Sequence, residues 1–424
     1  MNIPAVTSGT AAGTVLAGLD ELRDGLHALY RHLHAHPELS MQEHETAALI
    51  EDRLADLGIP TFRCGGTGVV GVLENGPGPV VAFRADTDAL PIAERTGLDC
   101  ASEATGVLAD GTETAVMHGC GHDTHTASLL TSAALLARAR QAWAGTVVLI
   151  FQPGEEIAAG AQAMVADGLW ERAPRPEVVL GQHVMPGPAG TVRYRAGTSA
   201  SMADSWEVTV RGRGAHGSQP EMSVDPIVQV AHTITRIQAV VSREVGPLSS
   251  AVVTVGRIAG GMKENVIPDS AMFTLNVRTF DEEVRARVLS ALRRIIKAEA
   301  DASGAAEPEI EELSTFPRLV NDDDVTGRVS AALNAYWGEG SVREGEAMMG
   351  SEDFGLLGEA AGVPYCFWFI GGTDPELYAE AEADGTLAST VPGNHSPFFA
   401  PAVEPTLPRM VEATVVGMLE FLDD

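Results

Sequence analysis

Short apolar runs of strand type recur through the first part of this chain: VVGVL at 69–73, VVAF at 80–83, TVVLIF at 146–151 and VVLG at 178–181. Between them lie stretches of helical character, notably Ala127 to Ala139 and Ala161 to Leu169. This alternation constrains the fold more than any other feature. A strand apolar on both faces needs cover on both faces, and intervening helices supply it, so a largely parallel sheet is predicted. Ahead of the first run, Leu22, Leu26, Leu29 and Leu33 share one helical face and Ala47, Ile50, Leu54 and Leu57 another, ending at Gly58.

From about 197 the pattern changes. WEVTVRG alternates as a half-buried strand does, a helix follows over 224–242, then AVVTVGRI and AMFTLNVRT, a helix over 282–300 and a strand near PEIEEL. The order β-α-β-β-α-β predicts a ferredoxin-like α+β unit. After 315 the first pattern resumes with a helix near 325–337, the strand YCFWFIGG and a helix over 405–421. At 424 residues the chain exceeds the usual size of one core. The predicted architecture is α/β: a discontinuous catalytic domain (1–196 and 315–424) with a mostly parallel sheet covered by helices, and an inserted lid or dimerisation domain (197–314).

In open α/β sheets ligands bind beyond the carboxyl ends of the strands. VVAF is followed by RADTD, TVVLIF by QPGEE, VVLG by QH, and YCFWFIGG leads to PGNH at 392–395. HGCGHDTH, 118–125, precedes a helix expected to begin near Thr126. Pooled, these ends offer Asp86, Asp88, Cys120, His122, Glu155, Glu156, His183 and His395. Buried together without a partner such groups would cost several kcal/mol each, and a metal removes the problem. Thiolate, imidazole and carboxylate suit zinc, with manganese, cobalt or nickel as alternatives. Five or more ligands exceed one open catalytic zinc, so two metals sharing a bridging ligand fit better, as in paired sites about 3.5–4 Å apart. In QPGEE one acid can hold metal while its neighbour serves as general base.

These residues stand in ten blocks, among them RHLHAHPELSMQEHET (31–46), RADTDALP (84–91), MHGCGHDTHTA (117–127), FQPGEE (151–156), GQH (181–183), GRGAHGSQPEMSVDPI (212–227), GSEDFG (350–355) and NHSPFF (394–399). In order and content they resemble the two-metal aminoacylase and carboxypeptidase family, in its branch of N-acyl amino acid amidohydrolases with hippurate and auxin-conjugate hydrolases. The resemblance implies that Cys120 bridges two divalent metals, Glu156 and His395 complete one, and His122 and His183 the other. It implies Glu155 as general base, His216 as the donor to the tetrahedral oxyanion, from a partner subunit in related dimers, and Asn265 and Arg278 near the substrate carboxylate. The implied activity is hydrolysis of an N-acyl amino acid to a carboxylic acid and a free amino acid, by a homodimer or higher homo-oligomer. A dipeptidase or carboxypeptidase on the same scaffold is the alternative, and a non-catalytic ligand-sensing or dimerising module a remote one. Asp86-Thr87-Asp88 replaces the wider family's histidine-x-aspartate motif, leaving both acids without an assigned role. Glu221 and Lys263-Glu264 also depart from the branch pattern.

His118 and His125 flank the ligands without a clear part. The block His32, His34, His36 and His44 is read as fixing the turn after the first helix, since Pro37 breaks the helix and no acids converge there at ligand spacing. Glu352 and Asp353 are expected to support the loop of His395. Ser351 lacks a G-x-S-x-G elbow, which argues against a serine hydrolase. Cys64, Cys100 and Cys366 read as structural thiols. A net charge of −30 disfavours nucleic acid and anionic membranes. With no basic leader in the opening residues and no long apolar run, a cytoplasmic protein is expected.

Overall fold

The computed structural model describes residues 10–422, so the leader reading falls partly outside the described residues. The chain folds as two compact units. The first runs to Ser199, resumes over Val320–Glu346 and resumes again from Asp353. Its eight-stranded sheet has the order Thr61–Cys64, Gly68–Asn75, Gly145–Gln152, Val80–Asp86, Val178–Pro188, Tyr365–Thr373, Val192–Tyr194 and Val342–Glu344.

The four central strands pair in parallel and are buried along nearly their whole length. Helices His122–Arg138 and Val403–Leu422 pack on each other and on Val80–Asp86 and Val178–Pro188, while Gly160–Ala166 and Gly355–Ala361 pack together. The mostly parallel, helix-covered sheet read from the apolar runs is therefore present. Its margins differ: Gly68–Asn75 is antiparallel to both of its neighbours, and Val192–Tyr194 is antiparallel to Tyr365–Thr373. The reason is connection length. Only Gly65, Gly66 and Thr67 join Thr61–Cys64 to Gly68–Asn75, with both glycines at positive φ, and a parallel crossover needs a dozen residues or more.

The second unit, Ala200–Leu319 with Ala347–Glu352, carries a four-stranded antiparallel sheet ordered Ala251–Gly260, Ser270–Thr279, Met202–Arg211 and Glu309–Phe316. Helices Pro226–Ile237 and Glu282–Ser303 pack on each other and on Ser270–Thr279. This is the ferredoxin-like order. Burial alternates strictly along Ser270–Thr279, and Trp206, Phe273, Leu275, Val288 and Ile296 form the core beneath the helices. Asp225 and Asp281 start the two helices by accepting amide hydrogens of their first turns. A short ladder pairs Ala215–His216 with Val266–Ile267.

Residues 347–352, read as part of the resumed catalytic domain, group with the second unit instead. Ser201 explains this, since its amide binds the carbonyls of Met348 and Gly350 and its hydroxyl binds that of Met349. Among the described residues no helix is long and apolar enough to cross a membrane.

Candidate metal centre

The residues pooled from the strand ends of the first unit lie together. Asp86 ends its strand, Glu155 and Glu156 form a single 3-10 turn just beyond Gly145–Gln152, and His183 sits within Val178–Pro188. The helix after HGCGHDTH begins at His122, not near Thr126. Gly121 at φ +81° supplies the left-handed residue before it, the Thr124 hydroxyl returns to the Gly121 carbonyl, and Asp123 adds negative charge to the first turn. His122 and His125 therefore project from one helical turn rather than from a loop. His395 reaches the centre from a backbone at φ +68°, held by its amide donating to the Gly119 carbonyl at 2.8 Å. A non-glycine residue at positive φ costs energy that the surrounding structure must supply.

Two ligand groups adjoin. Cys120, Glu156 and His395 each bring a ligand atom within 4.8 Å of the others, and so do Asp86, His122, His125 and His183. Glu155 joins His122 and Glu156 in a third such group. Cys120 Sγ lies 3.4 Å from His183 Nε2, linking the first two groups, and His395 Nε2 lies 3.2 Å from Glu156 Oε2. His122 Nε2 and Glu156 Oε1 face each other at 3.9 Å, both buried and both without a hydrogen-bond partner. Orphaned buried atoms are rare, and a nitrogen lone pair facing a carboxylate oxygen is what a cation between them would satisfy.

The remaining bonds aim the ligands. His122 Nδ1 donates to Asp88 Oδ1 at 3.1 Å and His183 Nδ1 donates to the Val184 carbonyl at 2.7 Å, which leaves both Nε2 atoms as the free lone pairs. Asp88 also accepts from the Ser40 hydroxyl at 2.6 Å and from the Glu156 amide at 3.0 Å. Asp86 is bound by Arg84 and by His125 Nδ1. His125 Nε2 accepts the Val184 amide at 2.9 Å, so both of its ring nitrogens are occupied and it is an orienting residue. Asn394, not singled out from the sequence although it precedes His395, donates to the carbonyls of Cys120 and Val184.

The electrostatics agree with a cation site. Burial, then Glu156, Glu155 and Asp86, push the Cys120 thiol well up, so its thiolate needs a nearby positive charge. Burial opposes protonation of His122, yet Asp86, Asp88 and Glu156 raise it to about 10. Burial holds His183 well below its usual range.

Other expectations are corrected. Acids do converge on the histidine block: buried His34 lies between Asp123 Oδ2 at 2.7 Å and Glu94 Oε1 at 3.0 Å. Both nitrogens are thereby used, and the pairing ties helix Leu19–Ala35 to the next segments. Asp353 does not reach the His395 loop; its carboxylate takes Gln152 at 2.7 Å, Arg84 at 3.2 Å and the Ala161 amide at 3.1 Å. His118 is buried with neither ring nitrogen partnered, and burial lowers it to about 4.

In the second unit His216 lies in the short ladder and Asn265 directly precedes its partner strand, where the Gly217 amide donates to the Asn265 carbonyl at 2.8 Å. The Ser218 amide donates to His216 Nδ1 at 3.1 Å, which places the ring proton of neutral His216 on Nε2. Arg278 lies on Ser270–Thr279, its Nε bound to Asn276 Oδ1 at 2.9 Å and its Nη1 to the Met349 carbonyl. Burial lowers its pKa.

Known proteins resemble this chain along most of its length. The N-acetyl-L-cysteine deacetylase of Bacillus subtilis is 38% identical over 358 residues, covering 83% of this chain and 82% of its own. The hippurate hydrolase of Campylobacter jejuni is 36% identical over 351 residues, covering 82% and 88%. The crystal structure of the YXEP protein of Bacillus subtilis, a dinuclear metal binding peptidase, superposes with a TM-score of 0.71 at 31% identity, covering 95% of this chain and 99% of that one. The model of peptidase family M20/M25/M40 matches residues 82–384, and this chain belongs to that family.

Proposed function

We propose that this chain is a metal-dependent amidohydrolase that cleaves N-acyl amino acids to a carboxylic acid and a free amino acid. The observation that carries the reading is the convergence of Cys120, His122, Glu156, His183 and His395 around unpartnered, lone-pair-bearing atoms, with Glu155 beside them. That donor set would hold two divalent ions, zinc or manganese first and cobalt or nickel as alternatives. When bound, the ions supply Lewis acidity that activates water and polarises the amide carbonyl.

The chain's own residues do the rest. Glu155 takes a proton from the attacking water as its oxygen adds to the carbonyl carbon, then delivers that proton to the nitrogen as the C–N bond breaks. His216 donates its Nε2 hydrogen to the oxyanion, and Asn265 and Arg278 hold the substrate carboxylate. Asp88 keeps His122 Nδ1 protonated so that Nε2 stays available.

The enzyme works as a homodimer or higher oligomer. Ala251–Gly260 is a sheet edge exposing Val252 and Ile258, which supports pairing through the second unit, and a monomeric mass in sedimentation would exclude it. We assign it to the cytoplasm, where four unpaired cysteines stay reduced.

Replacing Glu155 with Gln should lower turnover about a hundredfold to ten-thousandfold while leaving bound metal unchanged by elemental analysis. Near-wild-type turnover would remove the role. A panel of N-acetyl, N-benzoyl and longer N-acyl amino acids against dipeptides tests the substrate class, and faster cleavage of peptides would favour the dipeptidase or carboxypeptidase reading.

A further inference from the structure

Glu43 stands at the start of helix His44–Asp56, yet its side chain makes no bond to that helix. Glu38 caps the first turn instead, accepting the Glu45 amide at 3.0 Å and the Thr46 amide at 2.8 Å. The Glu43 side chain turns the other way into full burial. Its Oε1 accepts the Met41 amide at 2.8 Å and the Gly154 amide at 2.9 Å, and its Oε2 accepts the Thr67 hydroxyl.

Gly154 is the residue before Glu155. It is left-handed at φ +56°, and its carbonyl accepts the amides of Ala159 and Gly160 at 3.1 Å each. A Cβ there would stand 2.6 Å from Met41 Sδ, so the side chain of Met41, itself at φ +63°, packs against the turn. The backbone that presents Glu155 is therefore packed against by the Met41 side chain and anchored by a buried carboxylate 111 residues away in sequence. Burying a carboxylate costs several kcal/mol unless strong donors satisfy it, and the helix it begins is already capped. What its burial accomplishes is the fixing of the Gly154 amide.

We propose that Glu43 is a positioning residue for the hydrolytic reaction: by anchoring the Gly154 amide it sets the direction in which the Glu155 carboxylate points. The proposal rests on the reading of Glu155 as general base. Displacing a reacting group by about 1 Å can cost a hundredfold in rate. Glu43→Leu removes the acceptor while keeping apolar bulk. Glu43→Gln keeps an oxygen for the Met41 and Gly154 amides and turns the new amide nitrogen to the Thr67 hydroxyl, which can accept.

The test is steady-state kinetics with metal content measured on each zinc-loaded full-length variant. Glu43→Leu should lower kcat about tenfold to a hundredfold with KM within about twofold and metal unchanged, and Glu43→Gln should restore most of kcat. Thr67→Val, which spares the Gly154 bond, should lower the melting temperature but keep kcat. If Glu43→Leu does not fold, Glu43→Asp, one methylene too short to reach Thr67 and Gly154 together, must show the same kcat loss. An unchanged kcat in the folded Leu variant, or in Asp where Leu fails, overturns the proposal, as does equal damage from Gln and Leu. Glu155→Gln in parallel separates the failures: activity retained there removes the base reading, whereas an inactive Glu155→Gln beside a fully active Glu43 variant removes only Glu43.

Discussion

Asp88 accepts three donors at once, His122 Nδ1 at 3.1 Å, the Ser40 hydroxyl at 2.6 Å and the Glu156 amide at 3.0 Å, in a place with almost no solvent access. Asparagine has nearly the same shape but one acceptor oxygen and a two-hydrogen donor. If its oxygen faces His122, its nitrogen meets the Glu156 amide donor to donor, although the Ser40 hydroxyl can turn to accept. If the oxygen faces Glu156, the nitrogen meets His122 Nδ1 and drives the ring proton onto Nε2, the atom that would hold metal. Either arrangement leaves at least one buried donor unmet, worth about 1–3 kcal/mol. Asp88→Asn should therefore weaken metal affinity about fivefold to a hundredfold without unfolding the protein. Competition with a chelator of known affinity measures it, for zinc and manganese separately. Unchanged affinity for both would refute the claim that Asp88 selects the His122 tautomer.

Gly121→Ala should lower the melting temperature and the metal stoichiometry together. The left-handed backbone costs an L-residue about 1–2 kcal/mol, and the new methyl would stand 2.4 Å from Val184 Cγ1, beside the loop that places Cys120 and His122. A variant with full metal content would show that this turn can be shifted freely. His34 gives a pH dependence. Burial opposes its charge, but the hydrogen bonds of Asp123 and Glu94 raise it from 6.5 to about 10. Its folded pKa lies above the unfolded one, so this stabilisation is complete below pH 6.5 and is lost as pH climbs towards 10. The urea-midpoint gap between the wild type and His34→Gln should be widest near pH 6 and shrink by pH 10. A gap that stays constant would mean that His34 is neutral between its acids.

The apolar runs made the central sheet legible because strands buried on both faces leave a signature in composition, and the rule that ligands gather beyond their ends then assembled most of the centre. The antiparallel margins were not legible that way. Their direction is set by turns such as Gly65-Gly66-Thr67, too short for a crossover, while the strands themselves look like any others. The start of helix His122–Arg138 was misread because glycine and small polar residues suit loops, and only a left-handed Gly121 makes them the first turn. The strand-end position of Asp88 marked it as a site residue but not its role, and Glu43 had no local signal at all. Their partners lie 34 and 111 residues away, at distances no spacing pattern encodes.

The histidines carry the general point. His118, His122 and His125 fall within eight positions of one motif, and residue type cannot tell them apart. Asp88 takes one nitrogen of His122 and so frees the other for a ligand role. Asp86 and the Val184 amide take both nitrogens of His125 and leave it none. His118 has no partner and, at about 4, stays neutral at physiological pH. His34, from another block altogether, is charged by two acids, one of which, Asp123, belongs to the same motif. A histidine becomes a metal ligand through what holds its second nitrogen. Asp86 and Asp88 hold the Nδ1 atoms of His125 and His122 here, and under the proposed function the Val184 amide on His125 Nε2 is what separates an orienting histidine from a ligand.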